Sequence, residues 1–143
     1  MNTGQLDKVA CAARAEENRA ALAHRNERRA LDQSAQRLHQ LQAFRLEYEQ
    51  RLARITGAGI DARQLADYRR FLTQLNEAIE RQGQEVQRSQ SAVEDSREAL
   101  RRRAVRRDSL EQLLERARLS QRREHERREQ KLSDEAALLR SRA

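Results

Sequence analysis

Apolar residues recur along most of this chain in alternating steps of three and four, the spacing of a helix that packs on another helix along a narrow seam. From Leu31 the steps fall on Ser34, Leu38, Leu41, Arg45, Tyr48, Leu52 and Ile55. Taken backward they reach Glu27, His24, Ala20, Glu17, Ala13, Ala10 and Leu6, a weaker run of small alanines and polar intruders. A second seam starts at Leu65 and passes through Tyr68, Leu72, Leu75, Ile79, Gln82, Val86, Ser89, Val93, Ser96, Leu100, Arg103, Arg107, Leu110, Leu114 and Ala117. Eleven of these sixteen positions are apolar, which makes it the stronger of the two. In the same register Gln121, Glu124, Arg128 and Lys131 follow, and the seam is gone.

Between the seams lies "GAGID", where Gly57 and Gly59 can take the positive φ values of a helix C-cap and a tight turn. Asp61 can cap the next helix, with Gln64 three residues on as its capping-box partner. Ile60 and Leu65 have the spacing of a hydrophobic staple. The pattern predicts helix 1 over about 4–56, a turn over 57–60 and helix 2 over about 61–140. The four aromatic residues check this independently. In an antiparallel hairpin about a centre near residue 58, Phe44 stands level with Phe71 and Tyr48 with Tyr68. The same rule sets Leu6 opposite Leu110, so residues beyond about 115 have no first helix beside them. The expected architecture is all-α: one domain over 1–143, a long two-helix antiparallel coiled-coil hairpin with a C-terminal single-helix overhang at 118–143. At ~1.5 Å per residue the second helix would extend roughly 120 Å, with an overhang on the order of 40 Å.

Composition agrees with long helices rather than a layered core. Hydrophobic and charged residues are each 37% of the 143, aromatics are 3%, and proline is absent. The net charge of +7 comes almost wholly from arginine and is unevenly spread. Residues 61–100 hold six basic and eight acidic side chains, while residues 101–131 hold twelve and six. Cys11 is the only cysteine, which excludes an internal disulfide and reads as a small helix residue. No run has the length of a membrane span and the first residues lack a signal-peptide core. A soluble cytoplasmic protein is expected.

No catalytic constellation stands out. His24, His39 and His125 are scattered without metal-ligand spacing, and "GAGID" lacks the lysine and preceding strand of a P-loop. A coiled coil also has no concave pocket from which to exclude water. The expectation is no enzyme, no cofactor, no metal and no small-molecule substrate. The arginine runs at 101–107 and 118–131 fit a solvated helix, a helix docked in an acidic protein cavity, or a nucleic-acid contact. No aromatic residue lies among them for base stacking, so nucleic acid is not expected as a partner. Beside the seam, Leu41, Phe44 and Tyr48 on helix 1 and Phe71, Leu75, Ala78 and Gln82 on helix 2 form outward-rotated stripes. They either widen the hairpin packing or form an exposed docking patch. Leu132, Ala136 and Leu139 make a last small apolar face, a fraying terminus or a partner anchor.

"GAGIDARQLADYRRFLTQLNEAIERQ" (57–82) resembles the turn and second-helix start of the flagellar export family FliJ, with Tyr68, Phe71, Leu72, Leu75, Ala78 and Ile79 on the family pattern. "REQKLSDE" (128–135) is similar to the family's C-terminal stretch through Gln130, Lys131, Asp134 and Glu135. The resemblance covers essentially the whole chain. It implies an antiparallel coiled coil like the central stalk of rotary ATP synthases. Such a stalk enters the hexameric ring of the type III export ATPase, promotes its assembly and activity, contacts the membrane export-gate protein FlhA and helps cycle export chaperones. It further implies a cytoplasmic place at the inner-membrane side of the flagellar basal body. The implied gate contact is Leu41, Phe44, Tyr48, Phe71, Leu75, Ala78 and Gln82, with Phe44 standing where tyrosine is frequent and Gln82 where histidine can occur. The expected ring contact lies in residues 101–139 and the N-terminal strand of the coil, with Arg122, Arg123, Arg127, Arg128, Gln130, Lys131, Asp134 and Glu135 as its residues, and the turn is Gly57, Gly59 and Asp61. The alternatives are the equivalent stalk of a virulence secretion system, or a general coiled-coil scaffold.

Overall fold

The computed structural model describes residues 2–142. Over these the protein is an all-α helical hairpin without strands: α1, Thr3–Ala58, and α2, Ala62–Arg142, joined by a short turn.

Side chains close both helix starts. Asn2 and Gln5 form a reciprocal capping box: Asn2 Oδ1 accepts from the Gln5 N–H at 2.8 Å, and Gln5 Oε1 accepts from the Asn2 N–H at 3.1 Å. Each bond satisfies a donor that the first turn would otherwise leave open. At α2, Asp61 Oδ1 accepts from the Gln64 N–H at 2.8 Å. The reversal itself needs one glycine. Gly59 has φ of 87° and its N–H points at the Thr56 carbonyl, 3.5 Å away, whereas Gly57 stays in the last turn of α1. The helix therefore runs past Thr56 to Ala58. The Thr56 hydroxyl bonds back to the carbonyls of Leu52 and Ala53 at 2.9 and 3.0 Å, which holds that last turn helical.

The hairpin divides into two compact units. The turn unit runs from Ala21 to Glu98. The terminal unit combines α1 up to Ala20 with α2 from Ala99 onward.

In the turn unit the seam positions of both helices are buried or half-buried, with Ser34, Leu75 and Val93 the most enclosed. Its polar positions are matched across the helices. Gln82 Nε2 donates to both the carbonyl and the hydroxyl of Ser34, at 2.9 and 3.0 Å. His24 Nδ1 lies 2.9 Å from Ser96 Oγ, and Arg45 donates to Asn76 Oδ1 at 3.2 Å. Buried polar groups that find each other in one alignment favour that alignment over its slips.

In the terminal unit Ala10, Ala13 and Leu114 are buried, and Leu6, Leu110 and Ala117 are half-buried. Charged residues take the places of apolar ones. Glu17 and Arg107, both on the seam, meet at 2.6 Å, and Arg107 also reaches Glu111 at 3.1 Å. The hydrogen bonds to Glu17 and then Glu111 push the Arg107 guanidinium further above its already high ordinary pKa. Arg103 is the seam position that faces solvent, and its guanidinium bends back to Glu16 at 2.7 Å. Pairing extends as far as Asp7 with Arg118, at 3.2 Å. From Leu119 to Arg142 every side chain is exposed except the half-buried Ala136, so α2 continues here without α1 beside it.

Candidate functional site

Two surfaces offer themselves, one in each unit. In the turn unit the four aromatic rings gather into one cluster. Tyr48 and Phe71 lie 4.6 Å apart by ring centroid and Tyr48 and Tyr68 5.3 Å apart. Phe44 stands edge-on to Phe71 at 6.2 Å, with an interplanar angle of 75°. The edge-on pair is a favoured geometry for rings with a negative face and a positive edge, and the other two pairs are tilted at 42°. Burial, and after it the neighbouring Tyr68, push the Tyr48 phenol up from its ordinary pKa, so it stays a neutral hydroxyl.

The cluster separates residues that support from residues that present. Phe44 and Phe71 are 46% and 37% exposed and form its outer surface. Leu41, Tyr48 and Ala78 are half-buried. Leu75 is 7% exposed and lies in the seam, not on an outward stripe, so it holds the patch from below. Gln82 spends its amide N–H donors on Ser34 and is part of the same support. Towards the turn, Ile55, Ile60, Gln64 and Asp67 continue the patch as a shallow groove beside Tyr68. That continuation was missed from sequence, although Ile60 and Ile55 follow from the staple and the seam once the turn is placed.

The second surface is the unpaired part of α2. Arg122, Arg123, Arg127, Arg128, Gln130, Lys131, Asp134 and Glu135 are all exposed. They do not form one face. At about 100° per residue they spread round most of the helix circumference. Arg123 and Arg127 border one shallow groove with Arg116 and Leu119, while Arg122 borders another with Arg118 and His125. Arg128 pairs with Glu124 at 2.9 Å and Gln130 donates to Asp134 at 3.0 Å, both along the helix. Leu119, Leu132 and Leu139 stand exposed within this charged stretch.

Among the described residues no group of three or more His, Cys, Asp or Glu is placed to hold a metal ion, and no helix is long and apolar enough to cross a membrane. Cys11 is a free, exposed thiol. The chain matches the family model for the flagellar FliJ protein over residues 1–143. No curated protein and no solved structure matches it.

Proposed function

The chain belongs to the flagellar FliJ family, and on that footing we propose that it is a non-catalytic, stalk-like component of type III protein export that engages the hexameric export ATPase through the unpaired part of α2. The observation that carries this reading is the distribution of charge on that part. A solvated helix that docked on a flat surface would need one distinctive face, whereas residues 122–135 present charged groups of both signs and polar groups on nearly every side. Such a helix suits a partner that surrounds it, as a ring does, and the net positive charge of residues 118–142, eight basic side chains against five acidic, suits a ring lined mainly by carboxylates.

The aromatic patch gives the second contact in this reading. Phe44 and Phe71, backed by Leu41, Tyr48 and Ala78, would dock on the membrane export gate FlhA, since exposed aromatics on a packed base are the usual anchors of protein interfaces. Export chaperones would be carried by the same protein at the cytoplasmic side of the flagellar base. The contact with the ATPase is tested by capture of the purified cognate export ATPase on the full chain and on a chain ending at residue 117. Capture by the full chain with loss in the truncated one is the expected result. Equal capture by both would move the contact off the overhang.

A further inference from the structure

The two units are held together by different forces. The turn unit closes on aromatic rings, branched aliphatic side chains and cross-helix hydrogen bonds, most of them between neutral groups. In the terminal unit the α1 side of the seam is mostly alanine, and small side chains bury little apolar area. Beside this modest packing, charge joins the helices there. Asp7, Glu16 and Glu17 of α1 meet Arg118, Arg103 and Arg107 of α2 at 3.2, 2.7 and 2.6 Å, and Arg14 meets Glu111 at 3.0 Å in the opposite sense.

These pairs are graded. The Asp7 and Arg118 side chains are 53% and 55% exposed, whereas Glu17 and Arg107 are 24% and 28% exposed. The inner pair is also cross-braced, because Glu111 bonds both Arg107 and Arg14. Exposed ion pairs contribute little each and are screened by salt; sheltered ones are screened less. Without α2 beside it this end of α1, with Gly4 in its first turn, loses its packing and frays from the N-terminus. Separation from α2 therefore lowers the protection of its backbone amides.

We propose that residues 3–20 are an electrostatic strap, which lies on α2 while its ion pairs hold and releases from Asp7 inward to Glu17 when they are screened. Release uncovers Leu110 and Leu114 together with Arg103, Arg107 and Arg118, turning this part of α2 into a basic amphipathic helix with an open apolar stripe. The device follows from contacts inside the terminal unit and does not depend on which partner the overhang binds.

Amide hydrogen exchange on the full chain, at about 0.05 M and about 1 M salt, reads the strap directly. Protection of residues 5–18 should fall about tenfold at the higher salt, as expected when several exposed pairs are screened together, with the outer residues affected first. Residues 31–55 should keep their protection. A charge-swap series separates the ion pairs from general salt effects. Glu16→Arg alone should lower protection of residues 5–18 severalfold at low salt, and adding Arg103→Glu should restore it. Salt-independent protection of residues 5–18, an equal fall in residues 31–55, or no rescue in the double variant would each overturn the proposal.

Discussion

Gly57 and Gly59 are two residues apart and chemically identical, yet the backbone treats them oppositely. A Cβ added at either would meet no neighbouring atom within 4 Å, so conformation alone decides what a substitution does. Gly57 is helical, and Gly57→Ala should stabilise the protein by about 0.5–1 kcal/mol. Gly59 has φ of 87°, and Gly59→Ala should cost about 1–2 kcal/mol through the left-handed conformation that it forces on a side chain. Thermal unfolding of the two variants should therefore shift in opposite directions. A shift of the same sign in both would mean that the turn is not built on Gly59. From sequence the two glycines were indistinguishable, because which one takes the positive φ depends on where α1 stops, and the back-bonding of Thr56 was not readable in advance. The reciprocal cap of Asn2 and Gln5 was readable from its spacing and was overlooked because the first residues carry no seam signal.

At the scale of the helices, the step of three and four marked the buried side of both α1 and α2 almost position by position. Alternation of that kind survives in the sequence because every seam residue must face the partner helix. The polar seam positions were harder. Glu17, His24 and Ser34 looked like defects of helix 1 until their partners Arg107, Ser96 and Gln82 appeared across from them. A defect on one helix is a match only when both helices are read together in register. Leu75 shows the opposite error, since its place in an outward stripe and its place on the seam were both consistent with the pattern, and packing chose the seam. The two roles predict different mutants. Leu75→Ala should cost about 2–4 kcal/mol of stability by opening a cavity. Phe71→Ala should cost on the order of 1 kcal/mol and act mainly on gate binding. Thermal unfolding beside a binding assay with the purified cytoplasmic part of the gate protein separates them. Unchanged gate binding by folded Phe71→Ala protein would remove the patch from the interface.

For the molecule as a whole, family membership and the hairpin topology were legible from the start, through the turn stretch at 57–82 and the C-terminal stretch at 128–135. The placement of the eight expected ring-contact residues was less so, because they form no single face and spread as a partial belt round about two-thirds of an exposed helix. A belt is what a surrounding partner would grip. The central claim is that this belt couples the protein to the export ATPase, and the most direct measurement is the ATP hydrolysis rate of the purified cognate ATPase titrated with the full chain and with a chain ending at residue 117. Stimulation that saturates with the full chain and is lost with the truncated one is the predicted result. No stimulation by the full chain, with assembly of the ring confirmed in the same samples, would contradict it.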